Sequence, residues 1–243
     1  MSPIDVRDEG HLRWIGLNRQ DKRNAIDQAM VDALSAALDD ARRQPCVLLV
    51  HSTTPGIFAA GADIAELRDR DADAALLAIN AGLFEQLEAH RWPTIALIDG
   101  PAMGGGCELA LACDFRIATS RALFAQPELS LGILAGAGGN WRLTQAAGQQ
   151  VARRMLYTGA RLDGAAALAA GLVDELSEDL QAAGRGMAEK IGRQSWRALE
   201  LTKLALRSHR PATTTFDVAA QALLFGSQDK YDRMTAFLER RRT

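Results

Sequence analysis

The chain has 243 residues, 48% hydrophobic and 24% charged, a balance that suits a soluble globular protein with a sizeable core. Its 28 Lys and Arg against 30 Asp and Glu leave a formal charge of −2. That excludes a global basic field for nucleic acid or an anionic membrane, so an anionic ligand has to be held by local groups or backbone dipoles. Cys46, Cys107 and Cys113 form no CxxC spacing and no even framework, which argues against zinc and a disulfide scaffold. All three lie in apolar stretches and read as small buried hydrophobes. Asp5, Arg7, Asp8 and Glu9 interrupt the N-terminus, and no run of 18 uncharged apolar residues occurs. The expectation is a reduced, cytoplasmic protein with no metal, no membrane span and no nucleic-acid partner.

In chain order, His11 to Leu17 reads as a strand. Asn24 reads as a helix N-cap with Asp27 in the capping-box position. Ile26, Met30, Leu34 and Leu38 then recur every four residues as one apolar stripe. Cys46 to Val50 is a short continuous apolar run that fits a strand buried on both faces. Helices are expected over Asp63 to Arg70 and Asp73 to His90, followed after Pro93 by a strand over Thr94 to Ile98. Asp99-Gly100-Pro101 turns the chain, and Gly104-Gly105-Gly106 leads into an apolar helix from Cys107 to Cys113. Phe115 to Ala118 is a further strand. From Asn140 onward the pattern is almost wholly helical, with Gly159, Gly171 and Pro211 as stops. A short helix over Ala165 to Ala170 and an extended Gly171 to Glu175 fall within it.

Two glycine clusters invite a nucleotide reading, and both fail it. The dinucleotide fingerprint needs a third Gly where Leu109 and Trp141 stand, and a P-loop needs a following Lys that neither cluster has. No nucleophile elbow or zinc-binding HExxH helix is present. What remains is a strand, a tight turn and glycines opening a helix. Such a helix start offers unpaired N–H groups and a dipole that favours negative charge. Phe58 to Ile64 also passes from small residues into a helix and offers a second free N–H.

Glu108 lies in the apolar helix that follows the glycines, and Glu128 lies among apolar neighbours twenty residues on. A carboxylate there is costly unless paired, hydrogen-bonded or protonated. Burial and mutual repulsion raise carboxyl pKa values, so one site can hold a neutral acid beside an ionised base.

Phe58-Ala59-Ala60-Gly61-Ala62-Asp63-Ile64, Gly104-Gly105-Gly106-Cys107-Glu108-Leu109-Ala110 and Gln126-Pro127-Glu128-Leu129-Ser130-Leu131-Gly132 together resemble the crotonase superfamily, specifically its enoyl-CoA hydratase branch. The likeness extends over Leu17-Asn18-Arg19, Asn24-Ala25, Gly136-Ala137-Gly138-Gly139, Thr158-Gly159, Gly171-Leu172-Val173 and a closing Ala236 to Arg241, nearly the whole chain.

The resemblance implies an α/β spiral of repeated ββα units over residues 1–190, and a C-terminal helical region over 191–243 that trimerises, as a homotrimer or a dimer of trimers. It implies that the N–H groups of Ala62 and Gly105 form an oxyanion hole, with Glu108 and Glu128 as catalytic residues. Ala25, Ala60, Asp63, Ile64 and Gly104 would line the acyl-CoA site on one side, and Gln126, Pro127, Gly136 and Trp141 on the other. Lys22 and Arg23, with Arg240 to Arg242, would meet the coenzyme A phosphates, and Gln126 would orient Glu128. No cofactor is implied, because coenzyme A is part of the substrate.

The implied activity is addition of water to a trans-2-enoyl-CoA. A Δ3,Δ2-enoyl-CoA isomerase is the alternative, and a non-catalytic acyl-CoA-binding scaffold the more distant one. Ala65, where many hydratases have Lys, together with Ile133-Leu134-Ala135 and Asn140-Trp141, departs from the usual pattern and leaves the acyl chain open.

Overall fold

The computed structural model describes residues 2–69 and 78–207. Along these run β1 (Ile4–Glu9), β2 (Leu12–Leu17), α1 (Gln28–Ala41), β3 (Val47–Ser52), α2 (Ile64–Asp69), α3 (Ile79–Glu88), β4 (Thr94–Ile98), β5 (Pro101–Met103), α4 (Gly105–Leu111), β6 (Phe115–Ala118) and β7 (Leu123–Ala125). There follow α5 (Gly139–Thr158), β8 (Leu162–Asp163), α6 (Gly164–Ala169), β9 (Glu175–Leu176), α7 (Leu180–Gly192) and α8 (Trp196–Arg207).

The strands form two sheets. The larger has the order β1-β2-β3-β4-β6-β9, antiparallel at β1–β2 and parallel elsewhere. The smaller has the order β5-β7-β8, with β5 and β7 parallel. A strand in the large sheet, a strand in the small sheet and a helix recur as β4-β5-α4 and β6-β7-α5. An earlier turn is reduced to β3, a single bridge from Ala59 to Ala102, and α2. This is the repeated ββα spiral that the resemblance implied.

The continuous apolar runs are strands covered on both faces. Leu48, Val50, Ala96, Ile98 and Ala118 face a core shared with α1, α3 and α4, including Met30, Leu34, Leu38, Phe84 and Leu109. Val47, Leu49, Ile95, Leu97 and Ile117 face the opposite way, under Ala183, Met187 and Ala188 of α7. Each fully buried Leu, Ile or Val contributes about 1.5–3 kcal/mol, so these two layers dominate the stability of the fold. Lys203 of α8 is buried too, its Nζ donating to Asp114 Oδ2 at 2.6 Å and to the Trp92 carbonyl at 3.1 Å. Among the described residues no helix is long and apolar enough to cross a membrane.

Several expectations need correction. Asn24 caps no helix: α1 starts at Gln28, and Asp27 is its N-cap, accepting from Met30 N at 2.9 Å. Asn24 is instead a buried staple at φ 54, donating to Ser52 Oγ and the Phe58 carbonyl and accepting from Arg19 N. The same short side chain that suits a cap also suits a left-handed turn, so local preference did not separate the two. β1 was missed because only its Ile4 is buried, and its order comes from the ladder to β2. β5 and β7 span three residues each, too few to show a period. Residues 73–77 of the expected helix over Asp73 to His90 lie outside the described residues, as do Pro211, the closing Ala236 to Arg241, Arg240 to Arg242 and most of the region 191–243.

Helix α7 approaches the large sheet at Gly184, where an added Cβ would meet Leu97 Cδ2 at 2.8 Å and Leu49 Cδ2 at 2.9 Å. Gly184→Val is expected to cost about 1–3 kcal/mol by overpacking, seen as a lower urea midpoint at unchanged slope. A midpoint equal to the parent's would show that this contact does not constrain the helix.

Candidate active site

The site begins where two turns meet. Ile26 bridges to Ala62 in parallel fashion, its N–H donating to the Gly61 carbonyl at 2.7 Å while its own carbonyl accepts from Asp63 N at 3.1 Å. Pairing of that kind uses the residues on either side of Ala62, so the Ala62 N–H faces away from the bridge. Gly105 opens α4, and its N–H has no intrahelical acceptor. The two amides are neighbours: a Cβ on Gly105 would lie 3.2 Å from Ala62 N. The approach of the turns is close enough to require glycine. A Cβ on Gly106 would sit 2.3 Å from the Ala59 carbonyl oxygen, and Gly61, at φ +106, lies against the Met103 carbonyl.

Glu108 lies one turn into α4 and is 4% exposed. Its Oε1 accepts from Ala137 N at 2.9 Å and from Gly139 N at 2.8 Å, the latter at the start of α5. Burial raises its pKa, and these two N–H groups, together with the Arg142 charge, hold the rise back. Glu128 opens a short 3-10 turn over Glu128–Leu131 and is 9% exposed. Burial pushes its carboxyl up to about 7; its own backbone N–H opposes the rise and the Glu108 charge adds to it. Gln126 is 1% exposed behind it. With its amide nitrogen turned toward the carboxylate, Gln126 donates to Glu128 Oε1 at 2.9 Å and Oε2 at 3.1 Å.

A cavity of about 280 Å³ joins these groups. Of the residues named from sequence, Ala60, Ala62, Ile64, Gly104, Gly105, Glu108, Pro127, Glu128 and Gly136 line it. The others lie elsewhere. Lys22 and Arg23 are exposed on a loop whose Arg23 carbonyl accepts from Ala60 N at 3.0 Å, so they stand beside the cavity and do not line it. The Ala25 carbonyl accepts from Arg19 Nη1, and Asp63 pairs with Arg19 at 3.1 Å, which turns both toward that loop. Trp141 lines a separate depression with Glu85, Glu88 and Ala89.

Ile133 and Leu134, which the sequence tied to the acyl chain, line the cavity; sequence reasoning missed Leu67, Ile79 and Leu131, which complete an aliphatic wall with them, and the N–H groups of Ala137 and Gly139 that hold Glu108. The wall comes from three separate segments, and backbone donors leave no mark in the side-chain pattern. Among the described residues no group of three His, Cys, Asp or Glu is placed to hold a metal ion.

Stacked ββα turns, with two neighbouring backbone amides opening onto two buried glutamates, define a protein of the crotonase fold. The chain belongs to the enoyl-CoA hydratase/isomerase family, whose profile matches residues 8–243. It is 35% identical to the 2,3-dehydroadipyl-CoA hydratase of Escherichia coli (strain K12), over 99% of this chain and 97% of that one. It is 36% identical to the crotonyl-CoA hydratase of Syntrophomonas wolfei, over 98% and 96% of the two chains. A solved enoyl-CoA hydratase from Bacillus anthracis superposes with a TM-score of 0.92 at 29% identity, covering 98% of this chain and 96% of that one.

The raised Glu128 pKa has a consequence for stability. In the unfolded chain this carboxyl ionises from its ordinary 4.5, whereas in the folded chain it stays neutral until about 7. Its burial therefore costs nothing below the lower value, costs increasingly more between the two, and costs a constant amount above. Glu128→Gln is expected to gain Tm over the parent progressively through that window, as calorimetry across roughly pH 4 to 8 would measure. A Tm difference independent of pH would contradict the shift.

Proposed function

We propose that the chain is an enoyl-CoA hydratase that adds water across the 2,3 double bond of a trans-2-enoyl-CoA to give a 3-hydroxyacyl-CoA. The observation that carries this reading is that two buried glutamates, unequal in surroundings, share one cavity with two neighbouring backbone amides. The activities named for the Escherichia coli and Syntrophomonas wolfei relatives support hydration.

In this reading the thioester oxygen accepts from the N–H groups of Ala62 and Gly105. Negative charge grows on that oxygen as C3 is attacked, so fixed donors stabilise the transition state more than the ground state, each by about 3–4 kcal/mol. Glu108 is the ionised partner. It takes a proton from water as the oxygen bonds to C3. Glu128, neutral over much of the range up to its raised pKa, gives its proton to C2. The thioester is the electron sink, so the proposed chemistry uses no cofactor beyond the coenzyme A carried by the substrate.

Lys22 and Arg23, on the loop beside Ala60, are proposed to meet the coenzyme A moiety. The C-terminal region 191–243 is proposed to pack in a homotrimer or a dimer of trimers. Three buried free thiols support a reducing compartment such as the cytoplasm.

Crotonyl-CoA and longer 2-enoyl-CoAs should lose their conjugated absorbance in the presence of the protein. Glu108→Gln and Glu128→Gln should each lower kcat by about 10²–10⁴-fold while remaining folded by circular dichroism. Parent rates in both variants would sink the two-carboxylate mechanism. Turnover of 3-enoyl-CoAs without hydration would point to the isomerase instead.

A further inference from the structure

Arg142 is the charged group near the site that this mechanism leaves unused. It lies in the first turn of α5 and is only 4% exposed. A guanidinium so buried is costly unless its donors are engaged, and each of its partners leads somewhere. Nη2 and Nε donate to Glu88 Oε2 at 2.6 and 3.1 Å. Nη1 donates to the Ala137 carbonyl at 2.7 Å. The guanidinium carbon stands 4.3 Å from the centre of the Trp141 ring, which covers it on one face.

Ala137 is therefore held at both ends. Its carbonyl goes to Arg142 and its N–H goes to Glu108 Oε1. The neighbouring Asn140 donates from Nδ2 to the Ala135 carbonyl at 3.0 Å, so the first turn of α5 grips the carbonyl side of the loop at two points. The amide side then presents Ala137 N and Gly139 N to one carboxylate oxygen. An added Cβ at Gly138 would lie 2.1 Å from Arg142 Nη1, so the loop leaves the arginine its space. At the other end, Glu88 is the last residue of α3, whose first residues Ile79 and Asn80 line the cavity.

We propose that Arg142, clamped between Glu88 and Trp141, is a positioning residue for Glu108. It fixes the 135–139 loop so that two N–H groups converge on the carboxylate, and it ties that grip to the helix forming one wall of the cavity. A buried ion pair by itself is weak evidence of purpose, since apolar residues often replace one without loss. Here the third donor ends on the carbonyl of the same residue whose N–H holds Glu108, and a purely structural pair would not require that. Two donated hydrogen bonds and a nearby positive charge all favour the ionised carboxylate. The charged and polar groups around Glu108 are Arg142 and Glu88 on this side, Glu128 and Gln126 across the cavity, and the buried Cys107 thiol beside it on α4. The unusual Asn140-Trp141 pair serves the same loop from outside the cavity lining, Asn140 by holding the Ala135 carbonyl and Trp141 by covering the arginine.

The inference rests on the hydratase reading for its kinetic arm only. Arg142→Met is expected to lower kcat by roughly 10-fold up to about 10²-fold, with KM changing far less, because the base is misplaced while the binding groups remain. The acidic limb of its kcat/KM profile should move to higher pH, since losing the charge and the fixed donors raises the Glu108 pKa further. Arg142→Lys keeps the charge but not the forked donors, so it should restore most of the pH shift and little of kcat.

Titration of the Glu108 carboxyl, read by infrared difference against Glu108→Gln, gives the same pKa without turnover. A parent protein that hydrates no enoyl-CoA would overturn the proposed reaction and still leave this titration to decide the role of Arg142. Should Arg142→Met not fold, Arg142→Lys carries the kcat readout. Parent kcat in a folded Arg142 variant, with an unmoved Glu108 titration in Arg142→Met or parent kcat in Arg142→Lys where Met does not fold, would overturn the proposal.

Discussion

The register of the small sheet is the constraint on which the site depends. Phe58 N and Ala59 N donate to the Pro101 carbonyl at 3.0 and 3.1 Å, and Met103 N returns to the Ala59 carbonyl at 3.0 Å. On the other side Met103 pairs with Ala125, and Gly104 N donates to the Ala125 carbonyl at 2.8 Å. Three segments far apart in sequence thus leave the sheet side by side, each within a few residues of a site group. One leads to Ala62, one to Gly105 and Glu108, and one to Glu128. A backbone ladder holds its spacing independently of side-chain identity, so the three ends are fixed relative to one another before any ligand arrives.

That arrangement conflicts locally with stability. Among the described residues the Ala62 and Gly105 N–H groups find no backbone acceptor, and two carboxyls are taken out of water. The large sheet offsets these costs with aliphatic burial on both faces, where the chemistry of the site does not reach. Several polar groups buried away from the site are engaged, although both ring nitrogens of the buried His90 find no hydrogen-bond partner among the described residues. Arg116 donates to the Leu172 and Cys113 carbonyls, and Lys203 pairs with Asp114.

The two glutamates differ through their second partners. Glu108 receives two backbone N–H groups from a loop backed by an arginine, and these interactions favour its charge. Glu128 faces aliphatic side chains and the Glu108 charge, with its own backbone N–H and an amide from Gln126 to set against its burial. Burial raises the pKa of both carboxyls, and position alone decides which opposing interactions each one receives.

The segments around Ala62, Gly105, Glu108 and Glu128 were legible in the sequence because their chemistry is local: glycines that open a helix, and carboxylates in apolar surroundings. The inner strands β2, β3, β4 and β6 of the large sheet were legible too, since burial on both faces writes a continuous apolar run, whereas the exposed edge strand β1 was not. Gln126 was assigned to Glu128 by adjacency alone, and its buried amide lies within reach of that carboxylate. Asn24, Trp141 and Arg142 were not legible. Asn24 has the profile of a cap and acts as a staple, Trp141 looked like a pocket residue and instead covers an arginine, and no sequence signal singled out Arg142. The pattern of residues determined which groups are proposed to do chemistry, because reactivity and helix-end dipoles belong to short segments. Only the tertiary structure decided what each group faces, because a partner such as Glu88 for Arg142 lies 54 residues away and no period in the sequence links the two.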